Sequence, residues 1–311
     1  MKNVLLIVLV SLIYSETDAQ NVLYLDQNPP SDKAIVFAPG IISNEMQNRD
    51  ITFSSDGTEI YFRVVEGHDK PAFIAFTKFS NGAWSKPERA SFCKESIYNY
   101  LEPVFSPDGQ RLYFVSDMPD CEGDTLRDDN IWYVSRRGNE WSAPVNIGFP
   151  VNTDGGEYFP SFTVEGDIYF TRNKKDEKIS YIYKSEYRNG VYMEPVLLPD
   201  QINCGVDRFN AYVSPDDSFV VIPAVGVEEG KRGAFYYIVF RDSDGEWSYP
   251  VNMGDEFNTP VGRGWSFSLS PDLKYAFFMA TSPGSNNSDI FWISTDVIKA
   301  LAGRHGKVVL N

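Results

Sequence analysis

The sequence predicts an all-β chain: a single β-propeller of four-stranded antiparallel blades, five in number, with the ring closed by the N-terminal strand. Three observations predict it. A hairpin signature, seen most clearly in the stretch from Pro103 to Phe114 (PVFSPDGQRLYF), returns in four other places. The returns have a period of just over fifty residues, as in propellers and other repeat arrays. The last unit lacks a fourth strand, while the N-terminal end has one to spare.

The first twenty residues read as an export signal. Lys2 supplies the positive start, Val4 to Tyr14 is apolar, and Thr17-Asp18-Ala19 precedes Gln20 as a small-residue cleavage site, giving a signal peptide over 1–19. An uncleaved signal anchor is the alternative. The apolar run is short for a bilayer span, and no other segment reaches the roughly 18 residues that a span needs. A periplasmic or extracellular protein without a transmembrane segment is therefore expected. Residues 20–34, with Asn28-Pro29-Pro30-Ser31-Asp32, read as a surface leader, and residues 35–43 as a strand with Pro39 inside it.

The repeats then follow, aligned on the turn acid. Asp56, Asp108, Glu165, Asp216 and Asp272 are separated by 52, 57, 51 and 56 residues. Asp-Gly between two alternating runs favours a tight hairpin, because glycine accepts positive φ and aspartate bonds the local backbone. Third strands rich in aromatic and β-branched residues follow at 73–79, 131–135, 181–185, 235–240 and 290–294. Fourth strands carry Trp84-Ser85-Lys86-Pro87, Trp141-Ser142-Ala143-Pro144 and Trp247-Ser248-Tyr249-Pro250, with Tyr192-Met193-Glu194-Pro195 in the third unit. Proline lacks a ladder donor, so these strands are outermost, and the Trp is expected to pack between blades. In the last unit Thr295 to Gly303 reads as a capped helix, with Ser294 or Thr295 as cap and Gly303 as stop. Ala38-Pro39, 48 residues before Pro87, supplies the missing strand. The repeats fall at about 47–97, 98–155, 156–205, 206–261 and 262–303 within a propeller over 35–311. Six blades is the alternative if residues 21–46 hide a degenerate unit.

FSPDG followed by LYF, third strands of the Asp-Ile-Trp/Phe type, and WSAPVNIG at Trp141 to Gly148 resemble the WD40-like propeller repeats of the TolB-type periplasmic family. The resemblance covers about residues 47–294. It implies an exported binding or scaffolding propeller and lends no catalytic residue. Propellers of that family usually have six blades, so five clear repeats is a departure. Asp216-Asp217 and Asp272-Leu273 also depart from Asp-Gly, and turns of another type are expected there.

Composition narrows the function. Twenty-eight basic and 43 acidic residues give a net charge of −15, which argues against a phosphate-tracking nucleic-acid groove. Cys93, Cys121 and Cys204 have no metal spacing, and an oxidising compartment permits one disulfide among them. With only His68 and His305, no three-histidine metal site can form. No G-x-S-x-G elbow, phosphate loop or dinucleotide fingerprint is present, and no cofactor is expected. Ser54-Ser55-Asp56-Gly57-Thr58 has part of a sialidase Asp box but lacks its spacing and Trp, and reads as a hairpin turn.

Function is expected on the face that carries the long loops 63–72, 115–130, 171–180, 223–234 and 279–289, opposite the short turns. There the innermost strands begin, at the mouth of the central channel. The candidate ligand residues are Arg49, Asp50, Tyr100, Glu102, Glu157, Arg208, Asn210, Arg263 and Trp265, with Asp207 beside them. The same groups serve equally as inter-blade salt bridges. Asp50, Glu102 and Glu157 form an alternative catalytic set, since glycoside hydrolysis needs two carboxyls about 5–10 Å apart. Asp117, Asp120, Asp124 and Asp128 are a calcium alternative in a loop that otherwise reads as solvated acid. The leading expectation is a monomeric, non-enzymatic envelope protein that binds a protein or saccharide. The rival is a glycan-active enzyme.

Overall fold

Each hairpin signature folds into the two innermost strands of one blade in the computed structural model. The structure describes residues 24–44, 46–67, 70–121, 123, 125–174, 179–231, 233–258, 264–281, 288–307 and 309–310. The expected signal segment, His68, Asp124 and Arg263 lie outside these residues. Blade one comprises Gln47–Phe53, Glu59–Val65, Phe73–Ser80 and Glu88–Arg89. Blade two comprises Tyr100–Phe105, Arg111–Ser116, Asn130–Arg137 and Val145–Asn146. Gly156–Phe162, Ile168–Lys174, Ile179–Ser185 and Val196–Leu197 make blade three. In blade four the inner strand is split into Asp207–Arg208 and Tyr212–Val213, followed by Phe219–Val225, Phe235–Phe240 and Val251–Asn252.

Blade five closes the ring as the strand count requires. Phe267–Leu269, Tyr275–Thr281 and Ser288–Ser294 are joined on the outside by Ile35–Val36, in the register Ile35 with Trp292 and Val36 with Phe291. Closure covers the faces of the first and last blades, which an open array would expose, and leaves only short outer edges. The expected strand over 35–43 is shorter than its sequence suggested. After Val36 the chain turns, with Gly40 N–H donating to Ser43 O at 2.7 Å.

The five hairpin turns are all of one kind, which corrects the expectation for units four and five. Gly57, Gly109, Gly166, Asp217 and Leu273 all have left-handed φ, between 56° and 91°. Each donates its N–H to the carbonyl three residues earlier, at 2.8–3.0 Å. A β-carbon in this conformation costs roughly 1–2 kcal/mol, and at Asp217 the side chain offsets it. Its carboxylate accepts from the Tyr169 hydroxyl (2.7 Å), Arg241 (2.6 Å) and Lys184 (3.3 Å), tying blade four to blade three. Leu273 packs against the buried cluster shared by blades four and five.

The Trp-Ser-x-Pro segments lie between a short hairpin extension of the third strand and a two-residue outermost strand. Glu140–Trp141, for example, pairs with Arg136 and Arg137 before the chain returns at Val145–Asn146. As expected, the aromatic residue bridges blades. Trp141 Nε1–H donates to the Tyr61 hydroxyl of blade one at 2.9 Å, and the two rings meet edge-on at 6.2 Å. The C-terminal helix α1 (Asp296–Arg304) forms one residue later than predicted and runs through Gly303. Ser294 Oγ accepts the Asp296 N–H at 3.2 Å, whereas the Thr295 hydroxyl donates to Leu273 O. The chain leaves the helix at His305 and Gly306, the latter with φ 66°. All three cysteines are free thiols.

Candidate functional site

The site is built by a bulge repeated in the inner strands. Pairing with the second strand slips by one residue between Arg49 and Ile51, between Leu101 and Val104, and between Tyr158 and Ser161. At the slip, Asp50, Glu102 and Phe159 take left-handed φ of 57°, 54° and 52°, and Asn210 does so at 39° in the break of blade four. Each stands six residues before its turn acid. Strained non-glycine backbone repeated at equivalent positions re-aims side chains and points to a selected arrangement.

The re-aimed groups meet at the channel axis, and all five blades contribute. Glu102 Oε2 accepts the Phe159 N–H at 2.7 Å, and Oε1 accepts Asn210 Nδ2 at 3.2 Å. Arg49 bonds Asp50 through Nε at 3.0 Å and reaches Glu102 through Nη2 at 3.8 Å. Asp50 N–H donates to Ser266 Oγ of blade five at 3.3 Å. Asp50, Glu102, Asn210 and Ser266 are all buried. Toward the loop-rich face the Arg49 guanidinium lies 5.6 Å from the ring centre of Trp265, which packs at 4.9 Å against Phe209. Trp265 remains 36% exposed, so this pair presents an aromatic surface beside a buried charge cluster.

Burial sets the electrostatics of the cluster. It pushes Glu102 well above the ordinary carboxylate range, Asp50 adds to the shift, and Arg49 opposes it. Arg63 is pulled down to about 10, first by burial and then by the charge of Arg49. Three buried atoms here have no hydrogen-bond partner: Asp50 Oδ1, Asn210 Oδ1 and Arg63 Nε.

The predicted carboxylate trio separates into a pair and a singleton. Asp50 and Glu102 come together around Arg49, whereas Glu157 faces Arg172 at 2.8 Å and accepts from Thr153 N–H and Oγ1. Burial raises the Glu157 pKa, with Thr153 and Arg172 opposing. Tyr100 and Arg208, like Glu157, stand eight residues before their turn acids, two residues upstream of the axial column. The Tyr100 ring packs on Phe114 in the core. Arg208 donates to the carbonyls of Cys204, Ser180 and Gly205. Sequence reasoning passed over Phe209, Ser266 and Arg63. The first two sit in the same aligned columns as Arg49 and Asp50, a signal that column-by-column alignment of the repeats contains.

Within the acidic loop Asp117 is held by Arg127 Nε at 3.1 Å and accepts the Asn99 N–H at 2.6 Å, and Asp120 accepts Asn146 Nδ2. Among the described residues no group of three or more His, Cys, Asp or Glu side chains is arranged to hold a metal ion. The calcium alternative thus has Asp117 engaged with a cation of the protein itself, and Asp124 outside the described residues.

No protein-family model matches the chain, and no curated protein does. Solved structures do. A TolB-type protein of Agrobacterium tumefaciens aligns over 81% of this chain and 78% of its own, at 15% identity and a TM-score of 0.51. The catalytic domain of the Coprinopsis cinerea GH62 α-L-arabinofuranosidase aligns over 85% and 97%, at 11% identity and a TM-score of 0.51. A thermostable family-43 glycoside hydrolase aligns over 81% and 90%, at 12% identity and a TM-score of 0.51. At such identities the likeness is one of fold, and the chain is a five-bladed all-β propeller similar in architecture to TolB-type proteins and glycoside hydrolases alike.

Proposed function

We propose that this protein is an exported, monomeric binding propeller of the cell envelope that recognises a saccharide through its loop-rich face. One observation carries the reading: Trp265, exposed, and Phe209, half-buried, form an aromatic pair at the start of the inner strands, beside Arg49 and the carboxylates that it neutralises. Aromatic faces stack on the C–H faces of sugars, and a few convergent polar groups fix orientation. A protein partner is the other occupant of the same surface. Titration of the protein with a panel of envelope glycans, followed by tryptophan fluorescence, should show saturable quenching. Trp265→Ala should weaken binding about tenfold or more. Unchanged affinity in that variant, or no binding across the panel, removes the saccharide reading, and a stoichiometric partner in a pull-down would then mark a protein ligand.

A second reading, a glycan-active enzyme, is favoured by the raised pKa of Glu102, which suits a general acid beside the carboxylate of Asp50. The solved glycoside hydrolases of the same fold add that such a ring can carry this chemistry in other proteins. The same panel discriminates, since bond cleavage that Glu102→Gln abolishes would make the protein a hydrolase. Export is checked by N-terminal sequencing of the protein recovered from the periplasm or medium. The mature chain should begin at Gln20, and an intact Met1 in the membrane fraction would indicate an anchor instead.

A further inference from the structure

The seam between blades two and three departs from its neighbours. In blades two to four, the hairpin before the outermost strand pairs an aromatic residue across its ladder: Trp141 with Arg136, Tyr192 with Tyr187, and Trp247 with Arg241. Where blade two meets blade one, Arg136 lies 4.1 Å from the Trp141 ring centre and forks onto the Glu59 carboxylate at 3.0–3.1 Å. Where blade four meets blade three, Arg241 lies 4.4 Å from the Trp247 ring centre and bonds Asp217, which also takes Lys184 of blade three. Both seams thus join a carboxylate, a guanidinium and an indole ring.

Between blades two and three only the guanidinium is present. Arg111 stands at the place of Glu59, since Ser106 N–H bonds Arg111 O as Ser54 N–H bonds Glu59 O. A cation thus replaces the carboxylate, and Tyr187 and Tyr192 replace Arg136 and Trp141. Here a cavity of about 540 Å³ is lined by Arg111, Tyr113, Tyr187 and Tyr192, with Asp108 and Glu165 of the hairpin turns at its rim. The two acids are exposed, and Arg111, Tyr187 and Tyr192 are half-buried, so the lining is open to solvent. The Arg111 guanidinium lies 4.7 Å from the Tyr133 ring centre, and its Nη1 donates to the Tyr113 hydroxyl at 3.2 Å. Among the described residues no carboxylate pairs with it. Asp108 has its Oδ1 engaged within its own turn, by Ser106 Oγ at 2.6 Å and Gln110 N–H at 3.0 Å. A guanidinium stacked on a ring keeps its planar fork free for a carboxylate.

We propose that this seam is a second binding site, for a small aromatic monocarboxylate, which supplies the acid and the ring that the neighbouring seams contain within the chain. The carboxylate pairs with Arg111 as Glu59 pairs with Arg136. The ring packs on Tyr187 and Tyr192, whose own ring centres are 4.9 Å apart. Charge narrows the class. An amine meets Arg111, and an anion of two or more charges meets Asp108 and Glu165 at the rim. An aliphatic acid forgoes the stacking that the tyrosine walls offer. The volume falls within the range of about 300–1,000 Å³ for ligand pockets and admits a ring the size of indole. The site lies on the hairpin-turn face, opposite the long loops, and does not rest on the function proposed for them.

Calorimetric titration of the full chain with indoleacetate tests the proposal, with indoleacetamide, tryptamine, acetate and inorganic phosphate as controls. Indoleacetate should bind in the millimolar range or tighter, and each control about tenfold more weakly or not at all. Arg111→Met, which keeps the stem and removes the fork, should weaken binding about tenfold or more. Tyr192→Trp, which gives blade three the ring of its neighbours, should fill the cavity and weaken binding as much without lowering the unfolding midpoint. No binding of indoleacetate, equal binding of indoleacetamide or tryptamine, or full affinity in either variant overturns the site. Binding lost in Trp265→Ala yet kept in Arg111→Met would place the ring on the loop-rich face. That result overturns the seam site and leaves the loop-face reading standing.

Discussion

Replacing Arg49 by alanine should destabilise the protein by about 3–5 kcal/mol near neutral pH, because it leaves buried carboxyl groups without their counter-ion. Arg49 is the guanidinium that bonds Asp50 at 3.0 Å and approaches Glu102 at 3.8 Å. The loss should depend on pH, with a sign fixed by Glu102. Its folded-state pKa is raised above the ordinary carboxylate value by burial and by Asp50. Between the unfolded value of about 4.3 and the raised folded value, the native state holds a proton that the unfolded chain has released. Stability from this group is therefore complete below the unfolded pKa and falls as pH rises through the folded one. Without Arg49 the folded pKa of Glu102 climbs further, so the variant should lose most stability in mildly alkaline solution and least in acid. Glu102→Gln in the Arg49→Ala background should restore part of the loss and flatten the pH dependence. Urea unfolding of the three proteins in acid and in mild alkali measures all of this. A single variant as stable as wild type in both solutions would mean that Asp50 and Glu102 do not rely on Arg49.

This cluster also marks where the sequence stopped being readable. The blade count followed from the spacing of Asp56, Asp108, Glu165, Asp216 and Asp272, because each unit must complete one sheet before the next begins. Ring closure followed from a missing outer strand at one terminus and a spare one at the other, and Ile35–Val36 occupies that place. What the pattern could not convey was the bulge. A one-residue slip turns every side chain upstream of it to the other face. Glu157 and Tyr100 therefore read as channel residues, yet their side chains pair with Arg172 and pack on Phe114. Glu102, two residues beyond Tyr100, reaches the axis because Leu101 and Val104 straddle the slip. A faint signal existed in the aligned column Asp50, Glu102, Phe159, Asn210 and Ser266, four of which are polar. The turn positions misled for a related reason. Glycine is the usual residue at positive φ, and Asp217 and Leu273 accept the same conformation because side-chain bonding or packing repays it.

Phe37→Ala should cost about 3–5 kcal/mol, as large as any single truncation in the core, although it directly follows a strand with only two ladder residues. The reason is that packing, rather than the ladder, closes the ring. Phe37 is fully buried, and its ring lies 5.0 Å from Phe277, 5.2 Å from Trp292 and 6.2 Å from Phe53 of blade one. Its N–H donates to Ile290 O at 2.8 Å, and the Gln27 side chain bonds both Val36 O and the Ala38 N–H at 2.8 Å. Removing the ring opens a cavity where blades five and one meet, so the seam loses the contacts that hold both neighbours. Phe114→Ala, deep in blade two, provides the comparison for an ordinary core truncation, and Phe149→Ala, at an 80% exposed position, should change little. If closure is part of one cooperative unit, Phe37→Ala and Phe114→Ala lower the denaturant midpoint by similar amounts. The alternative is a peripheral strap. In that case the Phe37 variant keeps its global midpoint and loses hydrogen-exchange protection only along Ser288–Ser294, and the ring is held by its other four seams.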